Sequence, residues 1–244
     1  MPQLIVSCKV HSQIEHMGTA IMTPAGTALL FDIDGTLADT DALHLEAFNQ
    51  IFAPHGHRFD HARFARELQG FSMASIRERF LGHEAEPRQL EIMEDKERVF
   101  RDLAAGEIKP IAGLMDVLEL ADRARVPMAA VTNAPRPNAE MILAGLGISH
   151  RFTVLVIGDE LPHGKPHPLP YLEGLRVIGG VATRALAFED SRSGVQSAVA
   201  AGINTIGMRT SLSNEALIEA GASLSAKTYE DAGLLEVVRE LVRA

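Results

Sequence analysis

The sequence predicts an α/β fold: a parallel sheet with helices on both faces and a block of helices inserted after the first strand. Three observations carry this. Short, wholly apolar runs recur along the chain, segments of helical period separate them, and the alternation breaks once, between residues 40 and 109, where only helical period is found. Strands buried on both faces read as continuous apolar runs, and strand alternating with helix implies right-handed crossovers into a parallel sheet.

The elements follow in order. Residues 1–24 have no clear period and contain Met17 and Met22, either of which would serve as a start, so they are expected to be a poorly ordered extension. The first strand is Thr27-Ala-Leu-Leu-Phe31, and further runs lie at 126–131, 152–157, 185–188 and 203–207. Helical period fills 113–124, 138–145, 169–177 and 193–201 between them. In the interrupted region four helices are expected, at 42–54, 61–69, 73–81 and 87–106. Leu43, Phe48, Ile51 and Phe52 share a face of the first. In the last, Leu90, Met93, Val99 and Leu103 mark an apolar stripe. Ligands of open parallel sheets bind beyond the carboxyl ends of the strands, so a helical insertion there reads as a cap. The expected division is a Rossmann-like core at 25–40 and 110–244, and a helical cap at 41–109 joined by linkers near Asp39–Asp41 and Lys109–Pro110.

Composition narrows the function. At 244 residues the chain is long enough to bury a full core without staples. A formal charge of −9, no Trp and two Tyr disfavour nucleic acid and anionic membrane surfaces as partners. The single Cys8 excludes an internal disulfide and a multi-cysteine metal site. No apolar run reaches the ~20 residues of a membrane helix, and no secretory signal is evident. A cytoplasmic protein with no obligate protein partner is expected.

Polar residues gather where the strands end. Asp32 and Asp34 follow the first strand, Thr132-Asn133 the second, and Glu189-Asp190-Ser191 the fourth; Lys165 sits in a loop stiffened by Pro166 and Pro168. Carboxylates brought this close need a cation or a proton between them. Hard oxygen donors with few imidazoles or thiols nearby select Mg²⁺. A carboxylate can attack phosphorus, Lys165 can balance the charge, the Thr132 hydroxyl can hold a phosphoryl oxygen, and Asp34 is placed for acid–base work. The chemistry suggested is transfer of a phosphoryl group.

Asp-x-Asp-Gly-Thr-Leu-x-Asp-Thr, Val-Thr-Asn, Gly-Lys-Pro-x-Pro and Phe-Glu-Asp-Ser-x-x-Gly, in that order, resemble the four motifs of the haloacid dehalogenase superfamily, from about Ala25 to at least Gly207. The insertion resembles that of the subgroup with a helical cap, and the longer strings are most similar to its sugar-phosphate phosphatases. The resemblance implies Asp32 as nucleophile, Asp34 as acid/base, and Thr132 and Lys165 as phosphate stabilisers. It implies Mg²⁺ bound by Asp32, the Asp34 carbonyl and Asp190, with Glu189 acting through water. It also places Asn133, His44 and the cap residues Gly70 and Arg77 near substrate. The alternative is an isomerase resembling β-phosphoglucomutase. Met73 stands where such mutases carry a cap arginine, with Arg77 one turn later, which favours hydrolysis. His55, His57 and His61 are expected to be solvated, and Cys8 incidental.

Overall fold

The apolar runs form the strands of one parallel sheet in the computed structural model, which describes residues 24–69 and 71–243. The strands are β1 (Ala28–Phe31), β2 (Met128–Thr132), β3 (Val154–Ile157), β4 (Ala185–Glu189), β5 (Asn204–Met208) and β6 (Leu224–Ala226), in the order β3-β2-β1-β4-β5-β6. The expected extension lies, except for Pro24, outside the described residues, as do Cys8 and Gly70.

Strand order is set by burial. Side chains alternate across a strand, so Leu29 and Phe31 enter the core on one face while Ala28 and Leu30 enter the core on the other. The first face is covered by α5 (Leu114–Ala124), α6 (Arg136–Gly145) and α10 (Ala232–Arg243), the second by α7 (Leu169–Ile178) and α8 (Arg192–Ala200). On the first face Phe31 stacks on Phe188 at 4.7 Å, with Phe152 edge-on and Tyr229 beside them. β1 is central, and the chain runs outward from it in both directions. That makes the carboxyl ends of β1, β2 and β4 the switch point where open sheets place their ligands.

Four helices separate β1 from α5: α1 (Asp41–Phe52), α2 (His61–Glu67), α3 (Met73–Leu81) and α4 (Glu86–Ala104). They bury their own cluster, in which Phe48, Phe52, Phe59 and Phe80 meet mostly edge to face. The chain leaves and re-enters the sheet layer at one rung, where Ala38 bridges Pro110 and the Ile111 amide donates to the Leu37 carbonyl at 3.0 Å.

The apolar stripe of α4 differs from the expected one. Leu90 is 45% exposed, and the buried face runs through Ile92, Met93, Lys96, Glu97, Phe100 and Ala104. Two charged residues hold core positions there, and periodicity counted on apolar residues alone passed over them. The sequence reading also omitted β6, α9 (Asn214–Ala220) and α10. β6 is three residues long with Ser225 at its centre, too short to show a period. No helix among the described residues is long and apolar enough to cross a membrane.

Phe52 is fully buried at the centre of the helical layer's cluster. Phe52→Ala is expected to lower unfolding free energy by about 3–5 kcal/mol, the usual loss for a buried aromatic, as read by urea denaturation.

Candidate active site

Asp32 stands one residue beyond β1, where the strand gives way to a tight loop. The Leu37 amide donates back to the Ile33 carbonyl at 2.8 Å and the Gly35 amide to the Ala38 carbonyl at 2.8 Å. Asp34 therefore faces the site from a turn rather than from an extended strand. Gly35 has φ +71°, and a Cβ there would lie 2.1 Å from the Asp190 carboxylate, so both backbone and space require glycine.

Lys165 arrives from the loop after β3. Its ammonium donates to Asp32 Oδ1 at 2.6 Å, the Val131 carbonyl at 2.7 Å and Glu189 Oε1 at 2.5 Å. It thereby joins the ends of β1, β2 and β4. Burial disfavours the charged amine, but the Asp32 and Glu189 charges more than offset this and hold its pKa well above the usual lysine range. Asn133 fixes the same loop: its amide donates to the Lys165 carbonyl at 3.1 Å and accepts from the Lys165 amide at 3.0 Å. It lines the cavity, but its side chain is engaged in positioning Lys165, whereas the sequence reading placed it on substrate. Thr132 is buried at the last position of β2, and its hydroxyl accepts from the Ala134 amide at 2.9 Å.

Glu189 is fully buried. Besides Lys165, the Tyr171 hydroxyl donates to Oε1 at 2.7 Å and the Ser191 hydroxyl to Oε2 at 3.2 Å. Burial and the Glu189 charge push the Tyr171 phenol up, keeping it a donor. A Cβ on Gly194 would lie 1.9 Å from this carboxylate, which explains glycine in the first turn of α8.

Carboxylate oxygens of Asp32, Glu189 and Asp190 lie within 4.8 Å of one another. Burial, then mutual repulsion, pushes Asp190 well above the usual carboxylate range. Asp32 is also raised by burial, against the opposing pull of Lys165. Two buried acids that resist ionising, with hard oxygen donors and open space beside them, fit a divalent cation such as Mg²⁺. Glu189 has both oxygens taken by protein donors, so Asp32 and Asp190 are the direct candidates.

Asp34 behaves oppositely. Burial raises its pKa, but the hydrogen bond and charge of His44 outweigh this, with help from Thr40, and the net shift is downward. Thr40 Oγ1 donates to Asp34 Oδ1 at 2.7 Å, and His44 Nε2 lies 3.1 Å from the same oxygen. The His44 ring stacks on Phe100 at 3.8 Å, and its Nδ1 lies 2.9 Å from the buried Lys96 ammonium. Lys96 also donates to Glu97 at 3.0 Å, and Glu97 accepts from Asn138 at 2.6 Å. His44 thus faces the site, linking Asp34 to α4.

Lys96 and Ser211 are absent from the sequence reading, and Thr40 and Asp41 enter it only as the end of the first motif and as part of a linker. The Ser211 hydroxyl lies 2.5 Å from Asp190 and 2.9 Å from Asp41, bridging the two carboxyl groups, and Asp41 accepts from Gln69 of the helical layer at 2.8 Å. A signal for Lys96 existed: it falls with Ile92, Met93 and Phe100 on one helical face. Arg77 does not line the cavity; its charge acts on Asp159. Neither do His55, His57 and His61: His55 meets Glu84 at 3.3 Å, with His83 adjoining, and His57 meets the Phe80 carbonyl at 3.1 Å. Of the three histidines expected to be solvated, His61 is exposed, while His55 and His57 are half-buried and held by polar contacts within the helical layer.

The profile of the haloacid dehalogenase-like hydrolases matches residues 29–208, a span that holds every group just described except Ser211. The chain belongs to that family. A phosphorylated carbohydrates phosphatase of Thermotoga maritima is 33% identical over 221 residues, covering 88% of this chain and 99% of the relative. The fructose-1-phosphate phosphatase YqaB of Escherichia coli K12 is 31% identical, covering 74% and 95%. The crystal structure of a CbbY variant from Rhodobacter sphaeroides in complex with xylulose 1,5-bisphosphate superposes with a TM-score of 0.75 at 31% identity, covering 86% and 97%.

The raised acids yield a stability prediction. An acid whose folded pKa is raised stabilises the fold below its ordinary value, and this is lost as pH climbs towards the folded one. Mg²⁺ should therefore raise Tm more at pH 8 than at pH 5, where protons compete with it. Asp190→Asn should raise Tm in chelator and reduce the Mg²⁺ shift; both are read by differential scanning fluorimetry.

Proposed function

We propose that this haloacid dehalogenase-family phosphatase hydrolyses phosphomonoesters of small metabolites, sugar phosphates foremost, through an aspartyl-phosphate on Asp32, with Mg²⁺ as cofactor. One observation carries the reading: the Lys165 ammonium grips Asp32 and Glu189 at the switch point, while Asp34 hangs separately from Thr40 and His44. Two neighbouring carboxylates in opposite environments suit opposite tasks. The names of the relatives support a phosphorylated sugar as substrate.

In the first half-reaction an Asp32 carboxylate oxygen bonds to phosphorus as the bond from phosphorus to the leaving oxygen breaks. Asp34 delivers a proton to that oxygen. Asp34 is ionised in the free protein, and a bound phosphate dianion nearby raises its pKa, so that it holds the proton it later gives. In the second half-reaction water attacks phosphorus, Asp34 takes the water's proton, and the bond to Asp32 breaks to release phosphate. The Thr132 hydroxyl and Lys165 hold phosphoryl oxygens and balance their charge. Mg²⁺, held by Asp32, Asp190 and the Asp34 carbonyl with Glu189 acting indirectly, would screen the repulsion between nucleophile and phosphoryl group. His44 is a positioning residue, oriented by Lys96 and Phe100.

A mutase would need a second anion site in the helical layer. Arg77 is not among the residues that line the cavity and Met73 is on its wall, which supports hydrolysis.

Asp32→Asn should lower phosphate release at least about 10³-fold, as loss of a nucleophile does, with an unchanged circular dichroism spectrum. Brief incubation of wild type with ³²P-labelled acetyl phosphate should leave hydroxylamine-labile label on the protein, absent in Asp32→Asn. Near-normal turnover by Asp32→Asn would end the covalent reading.

A further inference from the structure

Two turns of the helical layer meet and bring a pair of imidazoles to one carboxylate. The first follows α1, where Ala53–His55 form a short 3-10 turn around Pro54 that Gly56 ends at φ +80°. The second joins α3 to α4. There the Glu84 amide donates to the Leu81 carbonyl at 2.8 Å, and the Gln89 side chain donates to the Glu84 carbonyl at 2.9 Å. Glu84 Oε1 lies 3.3 Å from His55 Nδ1 and 3.7 Å from His83 Nε2. One ligand atom from each of the three residues falls within 4.8 Å of the others. None of the three lines the cavity that holds Asp32.

We infer that His55, His83 and Glu84 form a binding site for a first-row divalent metal ion, zinc foremost, separate from the acidic centre at the sheet edge.

The donor set selects the ion. Asp32, Glu189 and Asp190 offer oxygen alone. Two imidazoles with a carboxylate are borderline donors, which suit zinc and its neighbours rather than Mg²⁺ or Ca²⁺. The spacing agrees. With zinc bonds of about 2.0–2.1 Å, the ligand atoms of a tetrahedron lie about 3.3–3.4 Å apart. The His55–Glu84 separation already has that value, and the His83–Glu84 separation exceeds it by a few tenths of an ångström. His83 can close the difference, because its side chain is 59% exposed and has room to turn, whereas that of His55 is only 15% exposed. Charge balance alone would ask for one histidine beside Glu84; here two converge on the same oxygen.

The frame beneath the group is set by packing. His57 Nε2 donates to the Phe80 carbonyl at 3.1 Å, tying the first turn to the end of α3. Phe52 and Phe59 each meet the Phe80 ring edge to face. The two turns are therefore held together before any ion arrives, and little chain ordering opposes binding. His57 is a strut for the site and not a ligand.

Three protein ligands leave the fourth tetrahedral position to water, so the ion is exchangeable, unlike that of a closed four-ligand structural site. Its effect would be felt along residues 55–84. That stretch contains α2 and α3, which supply Phe64, Met73 and Ile76 to the cavity wall. An ion joining His55 to Glu84 closes the stretch into a loop and restricts its opening.

The test titrates the untagged full chain, stripped with chelator, with zinc in competition with a chromophoric chelator, beside His83→Ala and Glu84→Gln. Far-UV circular dichroism checks that both variants fold; should Glu84→Gln unfold, the solvent-facing His83→Ala decides. The acidic centre is the same in all three chains, so zinc taken up there cancels in the comparison. Each substitution is expected to weaken one equivalent of bound zinc at least about 100-fold, since loss of even an outer partner of a metal ligand costs about 10–100-fold. Cobalt in place of zinc should give wild type the visible absorption of a tetrahedral site, lost in His83→Ala. Absence of zinc binding by wild type, equal affinity in the folded chains, or cobalt absorption that survives in His83→Ala would overturn the proposal and leave His55 and Glu84 as a plain ion pair.

Discussion

A single buried ammonium holds the reacting centre together. Lys165 touches the ends of β1, β2 and β4 at once, through Asp32, the Val131 carbonyl and Glu189. Its burial is tolerable only because acceptors surround it, and the acids' burial is tolerable only because it is there. Tyr171 and Ser191 complete the Glu189 shell, and Asn133 anchors the Lys165 backbone. Removing Lys165, Asp32 or Glu189 leaves a buried charge short of its complement, which costs far more than one hydrogen bond. The motifs are scattered over more than 150 residues because one cation needs partners from three strands.

The centre nevertheless carries more negative charge than Lys165 can balance. Asp32 is raised by burial and the Glu189 charge, and Asp190 by burial and the charges of Asp32 and Glu189, so the fold disfavours the ionised form of both acids. Such local conflict between burial and charge is often found at functional sites. Asp34 escapes it because His44 and Thr40 provide it with a separate environment a few residues away.

Most of the sheet was legible because β1, β2 and β4 are buried on both faces, which leaves an uninterrupted apolar run to read. The residues at their carboxyl ends were legible for the same reason: polar groups abruptly ending such runs stand out. β6 was not, since three residues with a central serine carry no period. Lys96 was hidden for a subtler reason. Charged residues on an amphipathic helix are ordinarily counted on the wet face, yet Lys96 and Glu97 neutralise each other inside. Asn133 shows the converse limit: its place beside the site was readable, but its bond to the Lys165 backbone depends on a loop 32 residues away. Arg77 was chosen by its distance along a helix, and the turn of α3 directs its charge towards Asp159 instead.

The rung at which Ala38 bridges Pro110 has a broader implication. Because the chain departs and returns side by side, the four inserted helices form a closed excursion whose length and content are invisible to strand order and register. Substitutions in that excursion can reshape what the cavity admits without disturbing the lysine-centred contacts beneath it. The architecture leaves the wall free to be altered by substitution while the contacts at the sheet edge stay fixed.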